Sequence, residues 1–394
     1  MGHVVAVPSA GALLADWGAE VIKVEPPSGE MLRGIRRTLG MDTVAKSDGV
    51  EVHWVIQVLN RNKKGLAVDL KQESGRDVLY KLVERVDVFM SNYELGSLER
   101  LGLDYATLSQ LNPKLVYATL TGYGTVGPDK DERGFDYSAA WARSGMQYLI
   151  GEPGSPPPPQ RPGLMDRVAA ADIVAGVLAA LLHREKTGKG QELRCSLYHT
   201  GVWSLCWDIQ GALMGIPVPK HDRTKASNPL WNTYRAKDNR WFMLVMLQAD
   251  VHWPDFCRAI ERPELENDPR FNNMEVREQH SEELIVILDD VFASQNMEEW
   301  ERRFRENNCI YGRVATPGEV TVDPQASANE FFAEIDHPSV GHMKLVNTPV
   351  KFCQNPASVR TPAPEIGQHT EEILLDLGYG WEDISQLKEQ GVIL

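Results

Sequence analysis

The chain has 394 residues, 42% hydrophobic and 24% charged, as in a globular protein with room for more than one domain. With 41 Lys and Arg against 55 Asp and Glu, the net charge of −14 argues against a general nucleic-acid binder or a protein that adheres to anionic membranes. Five scattered cysteines without C-x-x-C spacing, and ten histidines without H-x-x-x-H or H-E-x-x-H spacing, give no support to a disulfide framework or a metal site; a reducing cytoplasm is the expected location.

The first half alternates strand and helix signals. Val4 to Val7 is a short apolar run, after which Pro8-Ser9 opens a helix through Leu13, Leu14 and Trp17 that Gly18 closes. A strand over Glu20 to Glu25 follows, ended by Pro26-Pro27, and another is expected over Leu66 to Leu70. A helix from Ser74 to Arg85 leads into a strand over Val86 to Met90, and a helix over Tyr105 to Leu111 precedes a strand over Leu115 to Leu120. This rhythm predicts an α/β fold in which helices cover a parallel sheet, as in a Rossmann-like domain. Val168 to Leu182 is apolar but contains Asp172 and runs into His183-Arg184-Glu185-Lys186, so it reads as a buried helix and not a membrane span. No secretory leader is read at the start, and Ala6 stands where a myristoylation signal needs Ser or Thr. Farther on, Trp241 to Met246 reads as a strand and Trp253 to Phe304 as mostly helical, a smaller α+β domain over 225–330. The tail has a strand-like Lys351-Phe352, a loop with Pro356, Pro362 and Pro364, and a final helix from Thr370.

The Pro-rich loop Gly154 to Gly163 hands over to an Ala-rich helix that starts at or just after Asp166 and ends at Gly188. A carboxylate at a helix start meets free N–H groups and the positive end of the dipole, which favours its ionised form. Asp166 therefore reads either as a helix cap or as a nucleophile. Gly122, Gly124 and Gly127 cluster after a predicted strand, at the sheet edge where α/β proteins bind ligands, although the pattern is neither a Walker loop nor G-x-G-x-x-G. Asn60-Arg61-Asn62-Lys63-Lys64 and Arg33, Arg36 and Arg37 are local basic clusters, solvated surface or anion sites in an acidic chain. Asn92-Tyr93 offers an amide and an aromatic face at another strand end.

Taken together, Leu13 to Glu25, Asn60 to Gly65, Ser91-Asn92-Tyr93, Leu98 to Leu103, Thr121 to Gly124, Gly134-Phe135-Asp136-Tyr137 and Thr187 to Gln191 resemble, in order and spacing, the family III CoA-transferases across nearly the whole chain. The resemblance implies that Asp166 is the catalytic nucleophile, passing through an aspartyl anhydride and an aspartyl-CoA thioester, with Asp136 in a supporting role. It implies CoA contacts from Val4 or Val5, Arg33, Asn92, Tyr93, Arg100 and Arg133, where arginines suit phosphates. CoA and acyl-CoA are substrates, with no tightly bound cofactor, and the second partner is a small carboxylic acid, leaning toward 2-hydroxy or aromatic acids. The implied architecture is an interlocked, ring-like homodimer. Each subunit has a discontinuous large Rossmann-like domain (1–200 and 335–394), a small α+β domain (225–330), and linkers at 201–224 and 331–350. No nucleic acid and no membrane is expected as partner. The related α-methylacyl-CoA racemases carry a histidine before the aspartate of the Gly-x-Asp segment; here Phe135 stands there, which favours transfer over racemisation. A catalytically silent CoA-binding protein is the remaining alternative. Family members carry a further segment ahead of the stretch matching His3 to Pro8, so the resemblance leaves the innermost strand and the pocket near Val4 open.

Overall fold

The computed structural model describes residues 1–47 and 49–394. It divides into two compact units, one made of Met1–Tyr148, Pro158–Val218 and Ser327–Leu394, the other of Leu149–Pro157 and Pro219–Ala326. Among the described residues no helix is long and apolar enough to cross a membrane.

The first unit is mixed α/β. In chain order it carries α1 (Ala6–Asp16), β1 (Val21–Glu25), α2 (Trp54–Asn60), β2 (Lys63–Ala67), α3 (Glu73–Val83), β3 (Val88–Ser91), α4 (Leu95–Arg100), α5 (Tyr105–Leu111), β4 (Val116–Thr121), α6 (Leu164–Thr187), β5 (Gln191–Ser196), α7 (Leu197–Ser204) and α8 (Cys206–Leu213). β1 pairs with β2, and β3, β4 and β5 form a ladder in that order, all parallel. β4 explains the layering. Val116, Ala118 and Leu120 pack with Ala10 and Leu14 of α1 and with Ala169, Ala170, Ile173 and Val177 of α6. Tyr117, on the opposite side, packs with Val78, Leu79 and Leu82 of α3 and Leu108 of α5. A strand buried on both faces must be apolar along its length, and Val116 to Leu120 is fully buried. The small residues of α6 let it lie close to α1, since Ala169, Ala170 and Ala10 have no exposed surface. The chain end closes the other edge: Asp69 donates to Val392 O at 2.8 Å, Val68 bridges to Ile393, and Ile373, Leu374 and Val392 enter the same core as α3.

Several elements differ from expectation. The ladder at β2 runs over Lys63–Ala67 rather than Leu66 to Leu70. Helix α1 starts at Ala6, and Val4 takes a left-handed φ of 63° instead of extending a strand. Lys351-Phe352 forms no strand; the hairpin lies earlier, Phe332–His337 against Gly341–Val346. Pro349 and Pro356 restrict extended pairing on either side of that stretch.

The second unit holds an antiparallel sheet, Thr233–Arg235, Trp241–Leu244 and Tyr311–Arg313. Helices Ala249–Ala259, Ser281–Phe292 and Met297–Glu306 contribute to a core rich in aromatic residues, where Phe242 and Phe292 meet edge to face at 4.9 Å. Arg277 is buried in it, lying 4.6 Å over the Trp253 ring and ion-paired to Asp250.

Candidate active site

Helix α6 begins at Leu164, and its cap is Gly163, whose φ of 68° is left-handed; Asp166 sits inside the first turn and makes no cap hydrogen bond. The expected cap at Asp166 is thereby corrected: after Pro162 the cap falls three residues earlier, at Gly163. Its ionisation is corrected too. The helix start favours a carboxylate, but Asp166 is only 8% exposed, and burial, reinforced by the charge of Asp136 and opposed by Arg167, pushes its carboxyl up to about 7. Asp136 is buried as well and raised for the same first reason; Gln160 and the backbone N–H groups of Asp166, Tyr137 and Met165 favour its charged form.

Asp166 lies on the wall of a cavity of about 850 Å³. The rest of the wall comes from residues just past the carboxyl ends of four strands: Pro26 and Glu30 after β1, Asn92 and Tyr93 after β3, Gly122 after β4 and Leu197 after β5. That is where parallel α/β sheets present ligand sites. Val4, Val5, Arg100, Arg133 and Phe135 line it too. A second cavity of about 500 Å³ shares Pro26, Tyr93, Ser97 and Arg100 with the first and adds Lys71, which sequence reasoning did not single out.

Arg33 is not on this wall. Its guanidinium forks onto Glu25 through two 2.8 Å bonds and also donates to Pro364 O. The Asn92 amide is engaged internally, donating to His3 O at 2.9 Å and accepting from His3 N at 3.0 Å, while the Tyr93 ring tilts against His3. Val4 is held by Glu30, whose carboxylate accepts its N–H at 2.7 Å and the Lys23 ammonium at 2.6 Å. The basic run after α2 is neither free surface nor an anion site. Arg61 is buried against Asp16 at 2.8 Å, and Lys63 donates to the carbonyls of Pro8 and Leu59 and to Asn60 Oδ1. Among the described residues no cluster of His, Cys, Asp and Glu could hold a metal ion.

The family model described as CoA-transferase family III matches residues 1–370. The chain belongs to CoA-transferase family III. It is 35% identical over 389 residues to the (R)-2-hydroxy-4-methylpentanoate CoA-transferase of Clostridioides difficile, covering 99% of this chain and 96% of that one. To the cinnamoyl-CoA:phenyllactate CoA-transferase of Clostridium sporogenes it is 33% identical over 402 residues, covering 100% and 95%. Its fold matches the crystal structure of a CAIB/BAIF family protein from Brucella suis with a TM-score of 0.82 and 26% identity, over 96% of this chain and 97% of that one. As a CoA-transferase it takes CoA thioesters as substrates.

In this transferase, two glycines bring the site loops together. A Cβ on Gly122 would stand 3.1 Å from the Gly134 Cα, and one on Gly134 would stand 3.0 Å from the Tyr123 ring and 3.2 Å from Ala139 Cβ. The glycine loop is then clamped by Arg143, which lies over the rings of Tyr123 and Tyr198 at 5.0 and 5.4 Å and pairs with Asp129 at 2.5 Å. Gly134→Ala must push this crossing apart. We expect a loss of about 1–3 kcal/mol in a denaturant melt, together with weaker turnover, since Phe135 and Asp136 follow directly. A melt unchanged from wild type would show that the crossing has slack.

Proposed function

We propose that the protein moves CoA from an acyl-CoA donor to a small carboxylic acid through Asp166. The Asp166 carboxylate adds to the thioester carbonyl and expels CoA thiolate, leaving a mixed anhydride. The thiolate then attacks the aspartyl carbonyl, releasing the donor acid and leaving an Asp166–CoA thioester. The acceptor carboxylate attacks that thioester and frees the thiolate once more. Attack of the thiolate on the acceptor's acyl carbon yields the new acyl-CoA and restores the Asp166 carboxylate. Each step exchanges one activated acyl group for another, so no step faces a large uphill change.

The observation that carries this reading is the presence of Asp166 on one cavity wall with Val4, Val5, Asn92, Tyr93, Arg100 and Arg133. A carboxylate raised toward 7 is more basic than an ordinary one and yet ionised in good part at neutral pH, which favours nucleophilic attack. Arg100, shared by both cavities, and the exposed Arg133 supply cations for the CoA phosphates. Phe135 on the wall has no proton to exchange at an α-carbon, which supports transfer over racemisation. Leu120, Phe135 and Leu197 give the wall near Asp166 an apolar stretch that suits a branched or aromatic acyl group, as do the names of the two bacterial relatives. An interlocked homodimer would cover Trp203, Trp207, Leu213 and Met214 on α7, α8 and just beyond, which are 67–89% exposed in the single chain. The five free cysteines suit a reducing cytoplasm.

The test is to incubate the protein with an aromatic or 2-hydroxyacyl-CoA and hydroxylamine, then measure intact mass and map the modified peptide. An aspartyl hydroxamate at Asp166 is the expected product. No adduct, with CoA exchange intact in Asp166→Ala, would remove the covalent mechanism. Solvent deuterium entering the α-carbon without CoA exchange would establish the racemase instead.

A further inference from the structure

Acyl-CoA carries several phosphate charges, so a site that holds it is expected to gather cations and keep carboxylates away. The wall of the larger cavity departs from that rule. Arg100, Lys130 and Arg133 stand on it, but so do Glu94, Asp131 and Glu132. The three cations are not equally open. Arg100 donates to the neutral Ser97 hydroxyl at 2.8 Å. Lys130 lies 3.9 Å from its sequence neighbour Asp131, with both side chains more than half exposed. Of the three, only Arg133 is joined to a carboxylate on another element: its Nε donates to Glu94 Oε1 at 3.0 Å.

Local structure leaves both partners free to meet. Glu94 stands at the cap position of α4, yet its carboxylate makes no cap bond; the Ser97 N–H is answered by the Glu94 backbone carbonyl at 2.8 Å. The side chain therefore has no duty to its own helix. Arg133 comes from the loop after β4. The Gly122–Gly134 crossing fixes that loop just beyond Arg133, and Arg143 pins it at Asp129. Among the described residues, no other hydrogen bond or ion pair joins Glu94 and α4 to the stretch 125–134. The pair thus bridges two walls of one cavity. With the Arg133 and Glu94 side chains 86% and 59% exposed, it is a contact in water, weak enough to be exchanged.

We propose that Glu94 sets the affinity for acyl-CoA as a built-in competitor: its carboxylate holds Arg133 in the free protein and gives it up when a CoA phosphate takes that guanidinium. This rests on the cavity being the CoA site. The exchange is favourable because phosphate offers the guanidinium fork more charge than a carboxylate does. Arg100, with no carboxylate to release, takes a phosphate without exchange. The return of Glu94 to Arg133 helps CoA leave. That matters in a transferase, where acyl-CoA is both substrate and product and tight binding would slow turnover.

Calorimetric titration of substrate-free protein with CoA tests this and needs no turnover. Glu94→Gln binds CoA about threefold tighter or more, chiefly through slower dissociation. Arg133→Gln binds it more weakly, and in that background Glu94→Gln brings no gain. Pantetheine, which has no phosphate, binds Glu94→Gln and wild type alike. Unchanged CoA affinity in Glu94→Gln overturns the proposal. So does a gain that persists without Arg133, because the carboxylate would then act by general repulsion, and so does an equal gain for pantetheine. CoA that binds neither Glu94→Gln nor wild type removes the CoA reading of the cavity and the proposal with it. Absence of CoA exchange with binding intact counts against the Asp166 mechanism alone.

Discussion

Asp166→Asn is expected to abolish CoA exchange and, above pH 7, to make the protein more stable. The activity loss follows from chemistry: an amide cannot form the anhydride, and removing a nucleophile costs at least about a thousandfold in turnover. The stability gain follows from burial. In the unfolded chain the carboxyl loses its proton in the ordinary range, whereas in the folded protein it holds it up to about 7. Between those two points the unfolded state binds fewer protons, so stability falls as pH rises, and above about 7 the full penalty is present. A shift of that size corresponds to a penalty on the order of 4 kcal/mol. Asparagine is neutral at every pH and escapes it. Thermal melts at pH 5 and pH 8 check this: the variant gains less at pH 5 and more at pH 8. An equal gain at both values would mean that Asp166 is not the group that resists ionisation. A buried carboxyl facing the charge of a second one is a costly arrangement, of the kind kept where function requires it.

Hydropathy made some of this structure legible and hid the rest for a physical reason. β3 and β4 are visible as apolar runs because both faces of a parallel strand are covered, and α5 falls on the expected Tyr105 to Leu111, where Asp104 caps it by accepting from Thr107 N at 3.0 Å. β2 is displaced from its apolar run because Lys63 and Lys64 open the ladder, and Lys63 is buried by bonds to three oxygens that no local pattern announces. Among the described residues β5, Gln191–Ser196, pairs with β4 alone and is half-exposed, so it is polar and carries no strand signature. The candidate site divides in the same way. Asp166, Asn92, Tyr93, Arg100, Arg133, Val4 and Val5 meet on one wall, whereas Arg33 is drawn away by Glu25. Glu30 and Lys23 were invisible, because an ion pair seven residues apart across a turn has no motif. Gln160, buried at the end of the Pro-rich loop, was passed over because no local pattern marks a buried amide there.

That hidden ion pair yields the second large effect: Glu30→Ala should unfold the protein more readily and loosen its hold on acyl-CoA together. The Lys23 and Glu30 side chains are 4% and 3% exposed, and their contact is 2.6 Å. Among the described residues, removing the carboxylate leaves the buried ammonium one hydrogen bond, to Gly2 O at 3.1 Å, with the charge of Glu25 nearby. Breaking a pair of this kind from one side typically costs about 3–5 kcal/mol. By comparison the Arg302–Glu306 pair, with both side chains more than half exposed and screened by water, should contribute little when cut. The loss at Glu30 reaches the site through Val4. Its N–H is bonded to Glu30 at 2.7 Å, and its φ of 63° is one that a β-branched residue keeps only under constraint. Freed from Glu30, Val4 relaxes toward an extended backbone, and the cavity wall it forms with Val5 shifts. KM for acyl-CoA is then expected to rise about tenfold or more. Glu30→Gln separates the two roles, because its amide oxygen still accepts from Val4 while the charge facing Lys23 is gone. It should lose stability yet keep KM near the wild-type value. A denaturant melt and a KM measurement on both variants decide the matter. If Glu30→Ala lost stability with an unchanged KM, the pair would belong to the core alone, and the left-handed turn at Val4 would have to be held by the Asn92–His3 bonds instead.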